Sequence, residues 1–354
     1  MVKEHSSVFL HGGMSSEADI QRDYYERGLI YTVQIELTMK CSQGCSYCYA
    51  SSNPDSPGGL PSRDIKELLD DASTINVRCI DWLGGDPLFR SDWYDIMQYS
   101  LKKNLINNIW TSGLPLKNKK IAKKAVEVTK NGGFISVHLD SLNPNIYKQV
   151  HKFRIEENIS AILQGVDNVL SLGKNPNEIW NCITLTKPVA STDVFNTMEW
   201  FWKDKGIRTV LTLFNPVSDS DSGDFEPSIE LIQKAYKGRD EIMYQDDTSF
   251  STMDVNKFYC GSMICITSDG YYTPCSVIRT TEFGNINTLR LKDVIKENPR
   301  DILMMRLRNP ENLPAPCADC DQNNVCFGCR SSAYYYSGDM FGCDPKCVKC
   351  QPNQ

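Results

Sequence analysis

The sequence predicts an α/β fold in which parallel strands form a barrel or sheet, followed by a small, loop-rich C-terminal region. Two observations carry this prediction. Six short apolar runs alternate with longer amphipathic segments between residues 33 and 214, as repeated strand-then-helix units do. The composition then changes, because ten of the fifteen cysteines come at or after Cys260. A chain of 354 residues is long enough for one large or two ordinary domains.

The strands are predicted where apolar runs are rich in β-branched and aromatic residues, which is typical of buried parallel strands. These runs cover residues 33–37, 79–83, 108–111, 134–139, 180–185 and 209–214. The helices predicted between them cover residues 62–73, 91–102, 119–130, 157–172 and 191–205, after an earlier one at 17–28. Ser62 and Ser91 are predicted to cap their helices. Ligands of such folds bind at the carboxyl ends of the strands.

Composition and charge exclude several classes of function. The net charge is -6 and no run of Lys and Arg forms a stripe, so nucleic acid is not an expected partner. No apolar run approaches the ~20 residues of a membrane span, and the N-terminus lacks the apolar core of a signal peptide. The protein is therefore expected in the cytoplasm, where fifteen cysteines indicate metal-bound thiolates rather than disulfides.

Three cysteines, Cys41, Cys45 and Cys48, follow the first predicted strand. Three thiols on a short loop can bind three irons of a 4Fe-4S cluster and leave the fourth iron open, whereas an electron-transfer cluster normally has four thiolates. An open iron can bind a substrate or a cofactor. The alternatives are a zinc site or a disulfide cluster, but structural zinc needs four ligands, usually in paired CxxC motifs.

This motif resembles that of the radical S-adenosylmethionine (SAM) superfamily, and Tyr47 matches the aromatic residue that lies beside the adenine there. The resemblance implies a partial (β/α)6 barrel and an open iron that chelates the amino and carboxylate groups of SAM. It also implies reductive cleavage of SAM to a 5′-deoxyadenosyl radical, which removes a hydrogen atom from the substrate. An electron donor such as ferredoxin or flavodoxin is the expected partner.

The segment Gly84-Gly85-Asp86-Pro87 follows the second predicted strand. It resembles the GGE-type motif of the superfamily, with Asp in place of Glu, so these four residues are predicted to contact SAM. Two glycines let the backbone approach the ammonium group of the cofactor. A plain turn is the alternative for such a sequence.

The fourth predicted strand carries polar residues on one face. Alternation places Ser136, His138 and Asp140 on that face, toward the barrel interior. Relatives often have Ser, which touches the ribose, where this chain has His138. The resemblance therefore implies that His138 and Asp140 are at the cofactor, with a core histidine as the alternative. Where relatives frequently carry an Arg about a dozen residues later, this chain has Val150-His151-Lys152, and no role is predicted there.

The C-terminal cysteines resemble the SPASM extension found on many radical SAM proteins, from about Tyr259 to Cys347. The resemblance implies two auxiliary 4Fe-4S clusters, each with four thiolate ligands, and so three clusters in all. The first set is Cys260, Cys265, Cys275 and Cys329, and the second is Cys317, Cys320, Cys326 and Cys347. The alternative is a pair of zinc knuckles built on the CxxC pairs.

Four cysteines lie outside these sets. Cys79 and Cys182 are predicted to be small buried hydrophobes. Cys343 and Cys350 are extra to the SPASM pattern; they are a coincidence of spacing or an alternative ligand set for the second auxiliary cluster. The predicted division is an N-terminal segment at 1–30, a radical SAM partial barrel at 31–245 and a SPASM-like iron-sulfur domain at 246–354. Its boundary falls in the polar stretch 246–254.

The predicted function is radical SAM chemistry in which the auxiliary clusters support redox modification of a peptide or small protein. A small molecule (sugar, tetrapyrrole, lipid or quinone) is the alternative substrate, and a non-catalytic iron-sulfur or zinc scaffold is the alternative class. About thirty residues precede the first strand, fewer than the ~50 of a separate leader-binding domain. A peptide is then expected to be held by the barrel mouth and the SPASM surface, or by a carrier protein.

Relatives that oxidise a Ser or Cys of sulfatases place an Asp directly after the thiol that corresponds to Cys275. This chain has Ser276 there. A neutral hydroxyl is a poor base near pH 7, so that maturase activity is not expected.

Overall fold

The computed structural model describes residues 18–216, 222–243, 256–297 and 310–350. The predicted domain boundary at 246–254 lies outside these ranges. The described strands are β1 Thr32–Thr38, β2 Cys79–Gly84, β3 Ile106–Thr111, β4 Ile135–His138, β5 Ile179–Leu185, β6 Arg208–Leu213, β7 Met263–Ile266 and β8 Tyr272–Thr273. The first six confirm the strands predicted from the apolar runs.

All eight strands belong to one sheet in the order β6-β5-β4-β3-β2-β1-β7-β8. Every neighbouring pair is parallel except β7 and β8, which are antiparallel. The sheet is open, with β6 at one edge and β8 at the other. The predicted α/β fold with a partial six-stranded barrel is therefore confirmed. Because β1 to β6 are parallel, their carboxyl ends lie along one edge.

Helices cover the strands in the alternating pattern that the sequence predicts. The described helices are α1 Ala18–Glu26, α2 Ser62–Thr74, α3 Trp93–Lys102, α4 Lys119–Val128, α5 Pro144–Val150, α6 Ile155–Ser171, α7 Lys187–Thr192, α8 Val194–Lys205, α9 Ser222–Phe225, α10 Ile229–Met243, α11 Lys257–Cys260, α12 Val294–Glu297 and α13 Arg330–Ser337. In α2, Ile65, Leu68, Leu69 and Ala72 are buried at helical spacing, as expected for a helix on a sheet. The predicted helix at 191–205 is divided at Asp193, between α7 and α8.

The predicted helix caps are wrong. The residue before α2 is Pro61, and Ser62 is already the first helical residue. Helix α3 follows Asp92 and has no side-chain cap. The reason is a local ion pair, because the Asp92 carboxylate accepts from Arg90 Nε at 2.6 Å and from the Ser62 hydroxyl. Ser62 and Asp92 thus join α2 to α3.

The C-terminal region adds two strands, β7 and β8, to the barrel sheet, which the sequence did not predict. Strand β7 pairs in parallel with β1, and Ile35 lies opposite Ile266. All four residues of β7 are buried. An ion pair between Arg279 Nη2 and Glu36 Oε1 at 2.5 Å further joins the two regions. In the described ranges, no helix combines the length and apolar character that a bilayer crossing requires.

Candidate active site

The loop after β1 carries the first cysteine motif. The Cys41 amide donates to the Asn53 carbonyl at 3.2 Å, and Cys45 forms an isolated antiparallel bridge with His151. These contacts fix the loop at the carboxyl edge of the sheet, where parallel α/β folds bind ligands.

A cavity of about 380 Å³ lies at this edge. Its volume is in the range of ~300–1,000 Å³ that small-molecule sites occupy. The predicted site residues that line it are Cys41, Cys45, Tyr47, Cys48, Gly84, Gly85, His138, Cys260, Cys275 and Cys329. The structure therefore brings the first cysteine motif and part of the C-terminal cysteine pattern to one cavity.

The residues of this cavity fit an iron-sulfur cluster with a bound cofactor. Thiolates are the usual ligands of such clusters. Burial, with a smaller contribution from Asp86, raises the pKa of Cys41 to about 12, so iron would replace a proton there. The buried Ser136 hydroxyl also lines the cavity and has no hydrogen-bond partner among the described residues. It is available to a bound molecule.

The two glycines of the second motif pack against the entry to the cysteine loop. Gly84 has φ +127°, and a Cβ there would lie 2.0 Å from the Thr38 carbonyl oxygen. A Cβ on Gly85 would lie 2.5 Å from the Lys40 carbonyl oxygen. The Gly85 amide also donates to Thr38 O at 2.6 Å. Glycine is therefore required here by the close approach of two backbone segments.

Asp86 and Pro87 are buried and are not among the residues that line the cavity. The Asp86 carboxylate accepts from the Leu88 amide at 3.0 Å, from Thr111 Oγ1 at 2.8 Å and from the Ser112 amide at 3.0 Å. Burial raises its pKa despite these donors. In this structure the carboxylate joins the ends of β2 and β3. Its predicted contact with SAM stays a prediction.

Tyr47 is held by His138 and Asp140. Its hydroxyl lies 2.7 Å from His138 Nε2 and donates to Asp140 Oδ2. Burial lowers the pKa of His138, but the Asp140 carboxylate raises it by more. The pKa of His138 therefore lies well above its ordinary value. Burial likewise opposes charge on Asp140, yet His138 and His151 hold its pKa below the ordinary value. The pair is therefore charged, and it positions the tyrosine ring.

His151 is the residue of this site that sequence reasoning missed. Its Nε2 lies 2.9 Å from Asp140 Oδ2, and its ring stacks on Tyr147 with centroids 3.8 Å apart. Burial lowers the pKa of His151. The available signal was its position about a dozen residues after β4, where relatives frequently carry an Arg. The buried imidazole therefore contacts Asp140, while the backbone of His151 bridges that of Cys45.

The four cysteines predicted for the first auxiliary set lie in or next to four different elements. Cys260 ends α11, Cys265 lies in β7, Cys275 follows β8, and Cys329 precedes α13. Three of them line the cavity, while Cys265 is fully buried behind it. Burial raises the pKa of Cys260 well above its ordinary value, and the Cys275 and Cys329 thiols raise it further. Burial raises the pKa of Cys275 to about 11.

The second auxiliary set has an extra cysteine, Cys350, beside its predicted ligands. The Cys317, Cys347 and Cys343 thiols raise the pKa of Cys350, and the Cys343 thiol donates to the Cys350 carbonyl oxygen at 3.8 Å. Cys326 instead accepts from the Gly328 amide at 3.2 Å. Cys350 therefore stays an alternative ligand for this cluster. Across residues 18–216, 222–243, 256–297 and 310–350, no three His, Cys, Asp or Glu side chains converge as the ligands of one metal ion do.

Two family descriptions match the chain. "Radical SAM superfamily" matches residues 35–201, from β1 through the cysteine loop into α8. "Iron-sulfur cluster-binding domain", the SPASM family, matches residues 258–321. The chain therefore carries a radical SAM domain and a C-terminal SPASM domain. Together, the two domains indicate SAM binding and iron-sulfur clusters. The SPASM match ends before Cys326, Cys329 and Cys347.

Similar radical SAM proteins are enzymes with different substrates. The chain is 23% identical to the AdoMet-dependent heme synthase of Methanosarcina barkeri, over 88% of this chain and 95% of that protein. It is 22% identical to the mycofactocin maturase MftC of Mycolicibacterium smegmatis, over 92% and 85%. The solved structure of native anSMEcpe with bound AdoMet and Cp18Cys peptide has a TM-score of 0.67 at 16% identity, over 88% and 92%. That likeness concerns the fold.

Cys329→Ala is expected to remove the auxiliary cluster of Cys260 and to leave the cluster of Cys317 and Cys320. The reason is that Cys329 lies with Cys260 on the radical SAM cavity despite being nearer to Cys320 in sequence. Electron paramagnetic resonance and Mössbauer spectra of the reduced protein check this. Loss of the other auxiliary signal would show that the ligand sets are assigned in the wrong register.

Proposed function

We propose that this protein is a radical SAM enzyme that binds three 4Fe-4S clusters and redox-modifies a peptide or small protein. One observation carries the proposal. Cys41, Cys45 and Cys48 line the same cavity as three thiols of the SPASM region. A substrate in this cavity would lie close both to the site of the first cluster and to the thiols of the SPASM region. An electron donor such as ferredoxin or flavodoxin is part of the proposal.

Some residues of the chain would hold the cluster and the cofactor, and others keep those residues in position. Cys41, Cys45 and Cys48 would hold the first cluster, and Tyr47 would form a wall beside the cofactor. When bound, SAM on this cluster supplies a radical that removes a substrate hydrogen atom, and the auxiliary clusters supply electron acceptors. The charged pair of His138 and Asp140 keeps Tyr47 in place.

Peptide modification is supported by two of the similar proteins. The mycofactocin maturase matches over most of its length, and the anSMEcpe structure contains a bound peptide. The cavity walls include residues 210–215, which are the end of β6 and the segment after it, and β6 is an edge strand of the sheet. Extended backbone of this kind can hydrogen-bond a peptide.

A small molecule is the second candidate substrate. The heme synthase matches this chain at an identity similar to that of the maturase, and over 95% of its own length. A tetrapyrrole is therefore a small-molecule substrate class that a similar protein supports.

Deuterium transfer separates these candidates. The reduced, reconstituted protein is incubated with SAM and either deuterated peptides or deuterated small molecules, and 5′-deoxyadenosine is analysed by mass spectrometry. Deuterium from a peptide supports the proposal. A peptide panel that transfers none, while a tetrapyrrole or another metabolite does, would replace the peptide by that class.

The protein is not expected to form formylglycine on sulfatase peptides. Ser276 lines the cavity directly after Cys275, and its amide donates to Gln34 Oε1 at 3.3 Å. A hydroxyl cannot replace a carboxylate as a general base near pH 7. Mass spectrometry of a sulfatase peptide should show less than about 1% conversion, and Ser276→Asp is the informative comparison. Wild-type turnover of that peptide would contradict the expectation.

A further inference from the structure

The cysteine loop after β1 has an outer side that does not face the cavity. Cys41, Gln43, Cys45 and Tyr47 line the cavity, whereas Gly44 does not. SAM and a substrate would occupy the cavity side of the loop. A protein that delivers an electron to these cysteines must therefore approach them from outside the cavity.

Residues 150–153 cover the outer side of the loop. The Lys152 amide donates to the Gly44 carbonyl at 3.0 Å. The Phe153 ring lies directly on Gly44, because a Cβ there would lie 2.4 Å from Phe153 Cδ2. Gly44 immediately precedes Cys45, so this segment contacts the backbone beside a predicted cluster ligand.

Phe153 is also open to solvent. At 47% exposure, it is the most exposed large hydrophobic side chain among the described residues. Single exposed apolar side chains are ordinary on protein surfaces, but this one contacts the loop that would hold the first cluster. Phe153 does not line the cavity, so a partner bound to it would leave the cavity free for SAM.

The charges around Phe153 are positive. Lys148, Lys152 and Arg154 are exposed, and with Phe153 they form what we call the loop patch. No Asp or Glu occurs in residues 141–155, in a chain whose net charge is -6. The loop patch therefore differs in sign from the chain as a whole.

The first acidic residues after the loop patch belong to helix α6. Glu156 and Glu157 lie in its first turn, where the helix dipole favours negative charge. Glu157 Oε2 is 3.9 Å from Arg154 Nε, but the two side chains are 77% and 79% exposed, so this ion pair is weak. The arginine stays available to a partner.

We propose that the loop patch is the docking surface of a small acidic protein that carries one electron. This inference rests on the proposed function. One electron leaves the reduced carrier and enters the site of Cys41, Cys45 and Cys48, and no bond forms or breaks. Positive charge steers an acidic partner to the loop. Electron-transfer complexes bury less than about 1,200 Å², so a small patch around one aromatic ring is sufficient.

The test compares two ways of reducing the reconstituted full chain in the presence of SAM. Dithionite needs no docking surface, whereas reduced flavodoxin and a reduced acidic ferredoxin do. The test variant combines Lys152→Glu with Arg154→Glu. The matched control combines Lys119→Glu with Lys120→Glu, which makes the same change in charge on the exposed face of α4, a helix that packs on α3 and α6.

Two quantities are measured for each protein: 5′-deoxyadenosine formation with each reductant, and the Kd of each carrier by titration calorimetry at low and high salt. The test variant should bind a carrier about tenfold more weakly at low salt, with a similar loss of carrier-driven SAM cleavage. High salt should reduce the difference. Its dithionite-driven cleavage, and all activities of the α4 control, should stay within about twofold of the parent.

An unchanged carrier affinity in the test variant, or an equal loss in the α4 control, would overturn the inference. So would a parent protein that cleaves SAM with dithionite but with neither carrier. If the test variant does not hold its clusters, Lys152→Gln combined with Arg154→Gln replaces it, with an expected loss of about threefold and the same contradicting outcomes. A parent that cleaves no SAM even with dithionite would count against the proposed function itself.

Discussion

Replacing Cys41, Cys45 and Cys48 together with Ala is expected to abolish SAM cleavage. These thiols share a cavity with Gly84 and Gly85 at the strand ends, and neither auxiliary ligand set uses any of them. Without them the open iron is lost, while two four-thiolate sites are kept. Iron and sulfide should fall by about four per chain, and 5′-deoxyadenosine should fall to the level without enzyme.

Cys79→Ala is the matched control for this variant. Cys79 is a buried thiol in β2 that belongs to no ligand set, and its replacement should cost about 1 kcal/mol of stability through lost packing. All clusters and SAM cleavage should be retained. Cleavage by the triple variant after dithionite reduction would refute the role of the three cysteines.

Gly84→Ala is expected to be nearly as damaging. A Cβ at Gly84 would lie 2.0 Å from Thr38 O, and φ +127° is a conformation that side chains rarely adopt. Thr38 ends β1 just before the cysteine loop, so relief of the clash must move the loop. The free energy of unfolding should fall by about 3 kcal/mol or more, and the first cluster should be lost. Thermal unfolding and iron content measure the two effects.

Gly173→Ala separates steric clash from backbone strain. Gly173 has φ +87° but nothing within 4 Å of the position of a Cβ. The substitution should lower the free energy of unfolding by about 1–2 kcal/mol, because Ala is strained in the left-handed conformation, and it should leave the clusters intact. If Gly84→Ala were as mild as Gly173→Ala, the close approach of the glycine motif to the loop would not matter for cluster binding.

The strand-helix alternation predicted parallel strands in a barrel or sheet, the cysteine spacing predicted the thiols at its edge, and the resemblance to radical SAM proteins implied the partial barrel. Both follow from local patterns, because buried parallel strands are continuously apolar and cluster ligands need regular spacing. Strand β7 was missed because four apolar residues within a cysteine-rich segment show no pattern of their own. Its pairing with β1 depends on contacts more than two hundred residues apart in sequence.

Long-range contacts also explain what was missed in the site. Glycine is needed at position 84 because the Thr38 carbonyl lies against it. His151 contacts Asp140 because α5 brings it to the cysteine loop. The serine caps were wrong because Arg90 engages Asp92. In each case a residue far away or in another element determines the role, and spacing within one segment cannot reveal it.

Iron and sulfide counting after anaerobic reconstitution tests the central claim most directly. Three 4Fe-4S clusters predict about twelve irons and twelve labile sulfides per chain. One cluster is assigned to Cys41, Cys45 and Cys48, and two are assigned to the auxiliary sets of the SPASM region. It also predicts 5′-deoxyadenosine formation from SAM after reduction. Zinc without labile sulfide, or clusters without any SAM cleavage, would contradict the account and would favour a non-catalytic scaffold.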